Sequence, residues 1–552
     1  MNKGQRITWD VWLAITICAL ALFGLFFVYP IVMIFANSVY DAESGKFTLD
    51  AFRKFFSRTY YTSTVWNSIK VTTMVTLLAA TLGTAMAYVM RSIRIRGKGV
   101  LEILIIITVL SPPFIGAYSW ILLLGRSGVV TKFINKLFDI QFNGIYGFSG
   151  ILLVLTLKLF PLVYLYVSGA LKNMDNSLNE AAESLGTVGL RKIFRVVIPL
   201  ILPTILAASL LVFMRALADF GTPMLIGEGF RTLPVLIYTQ FISEMGGDAA
   251  FASAISVIVI IITTIIFLTQ KYVSSRKTIE MNSLRPMEPK PAKGIKNVLA
   301  HIFVYLVVFL AILPQFVVIY TSFLKTSGRI FVKGFSLDSY RSAFYKMGSA
   351  ITNTYVYSFT AILIIVIIGT LIAYVAKRKR NVLSNMLDTL TMIPYIIPGS
   401  VLGIALLAAF NKRPLLLSGT AFIIILVFVI RRLPYTIRSS EAILHQISPS
   451  VEEAAQSLGA TPMKAFWKVT FPMMAPGVVS GALMSWMSII SELSASIILY
   501  VGTTKTLTIS IYTEVIRGNY GVAAALATML TATTVIALLI FFKVTGKREI
   551  DM

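Results

Sequence analysis

Four charged residues lie inside long apolar segments and are the best placed to do chemistry. Lys158 and Arg431 occupy matching positions in two halves of the chain, and Asp219 and Glu492 match at the same separation. Ionisable residues inside membrane-spanning segments are costly and mark candidate functional sites. A base and an acid on neighbouring segments, present twice, predict either a pathway or gate, or structural ion pairs. Both interpretations stay open from the sequence alone.

A second polar group lies between apolar segments and also occurs twice. Its two copies are Glu180-Ala181-Ala182-Glu183-Ser184-Leu185-Gly186 and Glu453-Ala454-Ala455-Gln456-Ser457-Leu458-Gly459. Each predicts a short helix that ends at a glycine in the left-handed conformation. Thr187, or Thr461 followed by Pro462, then predicts the start of a second helix. We expect the alanines and the leucine of each copy to form one small apolar face.

The repeated pattern predicts two elements that dock a partner. Glu180 and Glu183 would be a carboxylate pair for a metal, but Gln456 replaces the second acid in the other copy. An amphipathic helix resting on lipid headgroups would explain one copy. It would not explain the same pattern twice at the same place.

The elements that position these residues are predicted to be membrane-spanning helices. The chain has 552 residues, of which 57% are hydrophobic and 13% charged, with a mean hydropathy of +0.82. Soluble domains carry about 25% charged residues. Apolar runs long enough to span a bilayer cover residues 11–36, 66–90, 101–125, 150–171, 196–220, 249–270, 300–324, 351–376, 386–410, 415–437, 469–500 and 521–543. We therefore predict an all-α integral membrane protein with about twelve transmembrane helices.

The charge pattern predicts the orientation. The basic runs at 91–98 and 377–380 each follow the second span of a half, which places them and both termini in the cytoplasm by the positive-inside rule. The net charge of +25 is therefore explained by loops between spans, without nucleic acid as a partner. The first apolar run is too long for a cleaved signal peptide, and the single Cys18 predicts neither a disulfide nor a metal site.

The chain is predicted to be a tandem repeat of six spans. Residues 1–272 form the first half, 273–299 a polar, proline-rich cytoplasmic linker, and 300–552 the second half. Gly83 to Tyr88 matches Gly369 to Tyr374, and Pro161 matches Pro434. An even number of spans gives both repeats the same orientation.

The two repeated loops resemble a known family. The pattern Glu-Ala-Ala-x-x-x-Gly, followed by Pro199 or Pro472, is similar to the EAA loop of binding-protein-dependent ABC importer permeases. The resemblance covers the whole chain and implies two fused permease halves of that fold in a bacterial cytoplasmic membrane. It also implies that Glu180, Ala181, Ala182 and Gly186, with Glu453, Ala454, Ala455 and Gly459, couple to an ATPase.

The partners follow from the same resemblance. The sequence contains no Gly-x-x-x-x-Gly-Lys-Ser/Thr phosphate loop, so we predict a transport subunit that is not an enzyme and holds no cofactor. Two separate ATPase subunits would bind ATP and magnesium, and an external solute-binding protein would deliver the cargo.

The cargo is the least constrained prediction. The stretch from Ala218 to Pro223 and the Gly227 to Pro234 stretch are similar to ferric-iron permeases of this class. The acids Asp219, Glu228, Glu244, Asp248 and Glu492 lie towards the predicted external side without the spacing of a metal motif. Iron(III) is the expected cargo. A 2-aminoethylphosphonate or other phosphorylated anion is the alternative within the class, and an ion-coupled secondary transporter is the alternative outside it.

Overall fold

The protein is described here from a computed structural model that covers residues 10–40, 46–111, 113–139, 141–242, 248–275 and 289–545. The described residues are predominantly helical, with one two-stranded sheet. The helices before the linker are α1 Val11–Phe23, α2 Tyr29–Val39, α3 Asp50–Ser57, α4 Thr59–Ser92, α5 Lys98–Leu110, α6 Pro113–Leu124, α7 Val129–Phe138, α8 Phe148–Lys172, α9 Asn176–Ser184, α10 Gly189–Lys192, α11 Ile198–Leu217, α12 Gly221–Ile226, α13 Leu233–Phe241 and α14 Ala249–Ser275.

The second half follows a similar order of elements, with a β-hairpin added and no helix in the place of α7 among the described residues. After α15 (Ile295–Ser322) come strands β1 (Leu324–Ser327) and β2 (Ile330–Phe335). The later helices are α16 Asp338–Arg378, α17 Val382–Ile396, α18 Gly399–Phe410, α19 Ala421–Gln446, α20 Ser450–Ser457, α21 Pro462–Ala465, α22 Phe471–Ile490, α23 Ser496–Leu499, α24 Leu507–Ile516 and α25 Tyr520–Thr545. Single π-helical turns join α1 to α2, α10 to α11 and α21 to α22, and a 3-10 turn, Gly502–Thr504, precedes α24.

Ten helices among the described residues are long and apolar enough to cross a membrane. An eleventh span is interrupted: α17 and α18 meet at an angle of 113°. The predicted span at 415–437 corresponds to α19, which begins at Ala421, carries Arg431 and Arg432 in its middle and is not among these ten helices. The predicted bounds 101–125 are wrong, because that stretch is divided into α5 and α6 and the apolar span found there is Phe114–Phe138.

The chain forms two compact units. The first-repeat unit contains residues 58–236 and 261–324, and the second-repeat unit contains residues within 1–57, 237–260 and 325–548. The first span of each repeat thus belongs to the unit built by the other repeat: α1 and α2 pack on α16, α17 and α18, whereas α15 packs on α4, α5 and α6. Trp12 of α1, for example, packs its ring against those of Tyr374 and Phe466.

The core of each unit is built from corresponding helices. In the first-repeat unit α4, α8 and α11 pack together, and in the second-repeat unit α16, α19 and α22 do so. Gly83 lets α4 approach α8 so closely that a Cβ atom there would lie 2.7 Å from the carbonyl oxygen of Phe160. Its counterpart Gly369 faces Leu433 and Thr436 of α19 at 3.3 to 3.4 Å. In each triad the second helix leads into the repeated loop and carries the base, and the third helix follows the loop and ends two residues before the acid.

Candidate functional site

The first repeated loop is a helix, a glycine turn and a second helix. Asp175 caps α9 by accepting a hydrogen bond from the N–H of Ser177 (2.9 Å). Gly186 adopts a φ of +78°, and the N–H of Thr187 donates to the carbonyl of Ala182 (2.9 Å). These bonds satisfy carbonyl groups at the end of α9, so the local chemistry of the predicted turn accounts for its geometry.

The predicted start of the second helix is wrong in the first loop. Thr187 is not its cap; α10 begins at Gly189, and Val188 precedes it without a side-chain hydrogen bond. Gly189 is itself left-handed, with a φ of +63°. Val188, not Thr187, occupies the position of Thr461 in the other loop, and its apolar side chain cannot cap a helix, so α10 begins at the matching position without a side-chain cap.

The second repeated loop has the same turn and keeps its predicted cap. Gly459 adopts a φ of +88°, and the N–H of Ala460 donates to the carbonyl of Ala455 (3.1 Å). Thr461 accepts a hydrogen bond from the N–H of Lys464 (3.3 Å), with Pro462 at the start of the helix. The cap predicted at Thr461 and Pro462 is confirmed.

Both turns present an isolated leucine beside exposed acids. Leu185 is 85% exposed and Leu458 is 90% exposed. Glu180 and Glu453 are exposed as well. The predicted single apolar face is wrong in the first copy, because Ala182 is buried while Leu185 is not. Leu185 is the residue that caps α9, and its backbone has already left the helical conformation, so its side chain departs from the helix face.

Different side-chain contacts hold the two loops. In the first, Lys192 of α10 binds the exposed Glu183 at 2.6 Å, and this hydrogen bond and charge lower the pKa of the Glu183 carboxyl. In the second loop Gln456 occupies the matching position, and the neighbouring residue Glu452 is buried. Glu452 is not among the residues predicted from the sequence, although an acid directly before Glu453 is visible there.

Glu452 ties the second loop to a long spanning helix. Its carboxylate lies 3.4 Å from Arg378 Nε and accepts a hydrogen bond from the Tyr374 hydroxyl (2.7 Å), both on α16. Trp12 packs on Tyr374 with ring centroids 4.4 Å apart. The matching residue in the first loop is the uncharged Asn179, so the two loops are attached unequally.

Each unit contains the predicted base and acid as a buried ion pair. Lys158 Nζ on α8 lies 3.5 Å from Asp219 Oδ2, just after α11. Arg431 on α19 binds Glu492, just after α22, and Arg432 binds the same oxygen at 2.5 Å. All four predicted residues are therefore brought together as two pairs, one in each unit.

A backbone hydrogen bond fixes each acid in the same way. Asp219 Oδ1 accepts from the N–H of Thr222 (2.8 Å), and Glu492 Oε1 accepts from the N–H of Ala495 (3.1 Å). Both donors lie three residues after the acid, where α12 or α23 begins. Both repeats therefore contain the same arrangement, in which a spanning helix ends, an acid follows and a base faces that acid.

The acids predicted to lie towards the external side do not form a metal centre within the part of the chain that the structure describes. Glu228 pairs with Arg126 at 2.6 Å, and Asp248 pairs with Lys54 at 2.9 Å. No group of three or more His, Cys, Asp or Glu side chains among the described residues is arranged to hold a metal ion. Glu244 lies outside the described residues.

Comparisons with known proteins agree over most of the chain. A sequence profile of the family described as binding-protein-dependent transport system inner membrane component matches residues 79–279 and again 365–548. A ferric transport system permease protein of Actinobacillus pleuropneumoniae is 30% identical over 543 residues, covering 96% of this chain and 77% of the relative.

Two further relatives differ in the cargo for which they are named. One, named as a ferric transport system permease protein in Haemophilus influenzae, is 29% identical over 507 residues, covering 89% of this chain and 78% of its own. Another, named for 2-aminoethylphosphonate transport in Salmonella paratyphi A, is 27% identical over 228 residues, covering 41% of this chain and 86% of its own.

Proposed function

Because the chain belongs to the family of binding-protein-dependent transport system inner membrane components, we propose that it forms the membrane pathway of an ATP-driven importer for iron(III). It is a fused two-half permease of the ABC importer class, a transport subunit of the inner membrane without enzymatic activity of its own. This membership supports the importer over the ion-coupled secondary transporter.

The observation that carries the proposal is the shared geometry of the two loops. Each has a helix, a left-handed glycine, an exposed leucine and an exposed glutamate, at Gly186 and again at Gly459. Two such surfaces fit two ATPase subunits, one for each loop, and these subunits would bind ATP and magnesium. Both loops and both termini then face the cytoplasm, and a solute-binding protein delivers cargo on the other side.

The helices after the loops supply a path for mechanical coupling. From Gly189 to Leu217 the chain is continuously helical through a π-helical turn, and the same is true from Pro462 to Ile490. Asp219 and Glu492 follow the far ends of these helices by two residues. Movement of a loop would therefore shift an acid against its base, which supports alternating access with Asp219, Glu492, Lys158 and Arg431 at a gate or along the pathway.

The cargo assignment rests on the relatives that resemble most of the chain. Two of them are named for ferric transport, and this supports iron(III). A phosphorylated anion such as 2-aminoethylphosphonate is the second candidate, favoured by the two arginines that bind the single carboxylate of Glu492.

Uptake and subunit association test the proposal. The permease, its ATPase and its binding protein are reconstituted in proteoliposomes, and ATP-dependent uptake of radioactive iron(III) is compared with that of 2-aminoethylphosphonate. Uptake of iron alone is expected; uptake of only the phosphonate would reassign the cargo. Glu180→Lys combined with Glu453→Lys should sharply reduce co-purification of the ATPase. Glu183→Gln, which removes an acid already paired with Lys192, serves as the control and should retain it. Full retention by the double charge reversal would contradict the docking role.

A further inference from the structure

The break between α17 and α18 leaves a buried helix start without a side-chain cap. The residue before α18 is Pro398, and no side chain caps the helix. Proline has no N–H, and the first N–H groups of any helix lack partners within it. The start of α18 therefore presents free donors and a partial positive charge, a combination that binds anions in many proteins.

Arg431 lies directly against this helix start. A Cβ atom added to Gly399 would be 2.6 Å from Arg431 Nη1 and 2.9 Å from the Cβ of Ser494. Glycine at this position is thus what lets the guanidinium group approach the first turn of α18. The arginine and the free N–H groups consequently face the same small region.

The cluster carries more positive than negative charge. Arg431 and Arg432 are 13% and 16% exposed in their side chains, and both bind Oε2 of Glu492. The other oxygen of Glu492 accepts the N–H of Ala495. Two guanidinium groups therefore share one carboxylate whose oxygens are already occupied. A buried excess charge is strongly unfavourable unless a counterion is present.

Unused donors surround the same region. The hydroxyl of Ser400, the second residue of α18, is 1% exposed and has no hydrogen-bond partner. The Nε groups of Arg431 and Arg432 are also buried without partners. Because Cα–Cβ bonds tilt towards the start of a helix, we expect the Ser400 hydroxyl to lie on the side of the free N–H groups. Buried donors without acceptors are rare in native proteins.

We propose that the start of α18, with Ser400, Arg431 and Arg432, binds a small oxyanion of the phosphate type. Such an anion has the acceptors and the charge that this region lacks, and arginine binds phosphate oxygens with two donors at once. The first repeat has Pro113 and Leu159 at the positions of Gly399 and Arg432. The site therefore belongs to the second repeat alone.

This proposal extends the pathway role proposed for Arg431. It rests on that role only for the route by which the anion reaches the site. Binding itself is a property of the purified chain. It is measured without ATP, ATPase or binding protein, so a failure of iron uptake leaves the binding result intact. The converse also holds, because iron uptake can succeed in a chain that binds no phosphate.

Equilibrium binding of [32P]phosphate to the full chain in dodecyl maltoside, at constant ionic strength, tests the site. Saturable binding with competition by sulfate is expected for the native chain. Arg432→Gln leaves Arg431 to pair with Glu492 and should weaken phosphate binding about tenfold or more, since a hydrogen bond to a charged group is lost. Arg413→Gln removes an exposed arginine in the loop after α18 and should leave the affinity unchanged.

Two additional arms keep the test decisive. Size-exclusion profiles and thermal unfolding establish that each variant is folded. If Arg432→Gln does not fold, Ser400→Ala tests the site instead and is expected to weaken phosphate binding about threefold to tenfold. Added phosphatidylglycerol that displaces phosphate from the native chain identifies a lipid headgroup as the source, and no displacement identifies free phosphate. Absence of saturable binding, or equal affinity in folded Arg432→Gln or Ser400→Ala and the native chain, overturns the proposal.

Discussion

Replacing Gly186 and Gly459 tests whether the two left-handed turns transmit work to the spanning helices. Their φ angles are +78° and +88°, and a Cβ atom at either position would meet no neighbouring atom within 4 Å. A substitution therefore acts through the backbone conformation alone and creates no clash.

The magnitude follows from that conformation. The left-handed region raises the conformational free energy of a residue other than glycine by about 1–2 kcal/mol. The increase is smaller for asparagine, which tolerates that region. If the two turns are independent, the double valine variant loses about 2–4 kcal/mol. At about 1.4 kcal/mol for each factor of ten, the equilibrium constant for forming both native turns falls by roughly 30-fold to several hundredfold.

The assay is ATP-dependent uptake in proteoliposomes, with the amount of permease in the membrane measured in parallel. Transport should fall in the order glycine, asparagine, alanine, valine at both positions, while the amount of folded permease stays constant. Gly169→Val is the control, because Gly169 is helical and a Cβ atom there also has open space. Unchanged uptake in the double valine variant, or asparagine as harmful as valine, would refute the reasoning.

Two paired substitutions test the packing of the units by thermal unfolding of the purified chain. Glu452→Gln removes the charge that faces Arg378 and should cost about 2 kcal/mol, whereas Asn179→Ala at the matching position should cost less; equal shifts would contradict the unequal attachment of the loops. Gly83→Ala places a methyl group 2.7 Å from backbone and should destabilise by about 1–3 kcal/mol. Gly369→Ala meets side-chain atoms only at 3.3 Å or more, so its shift should be smaller, and a larger one would rule out this packing argument.

Sequence patterns predicted the structure best where it depends on residues that are close together in the chain. Gly459, Thr461 and Pro462 have local conformational preferences strong enough to predict a turn and a cap, and the structure contains both. The prediction at Thr187 is wrong because the cap position belongs to the next residue, Val188, which has no side-chain oxygen to accept a hydrogen bond. The family resemblance needed only the repeated motif and is confirmed by the family match.

Contacts between distant residues were beyond such reasoning. Glu452 and Arg378 are far apart in the chain, and nothing in either local sequence names the other as a partner. Trp12 likewise packs on Tyr374 of the other repeat. The apolar pattern at 386–410 predicted one span, since hydropathy does not record the 113° bend at Pro398 and Gly399. Hydrophobic length predicts which segments enter the membrane, whereas tertiary packing decides where they bend and pair.

The unequal attachment of the two loops has an evolutionary consequence. In a permease made of two identical chains, any substitution appears in both halves, so Glu452 could not be acquired without changing the other loop. Here both halves belong to one chain, so a half that has diverged is always joined to the other, different half. Asn179 opposite Glu452, and Leu159 opposite Arg432, are divergences of this kind. Fusion thus removes the risk of assembling two like halves and allows each repeat to take on a separate task.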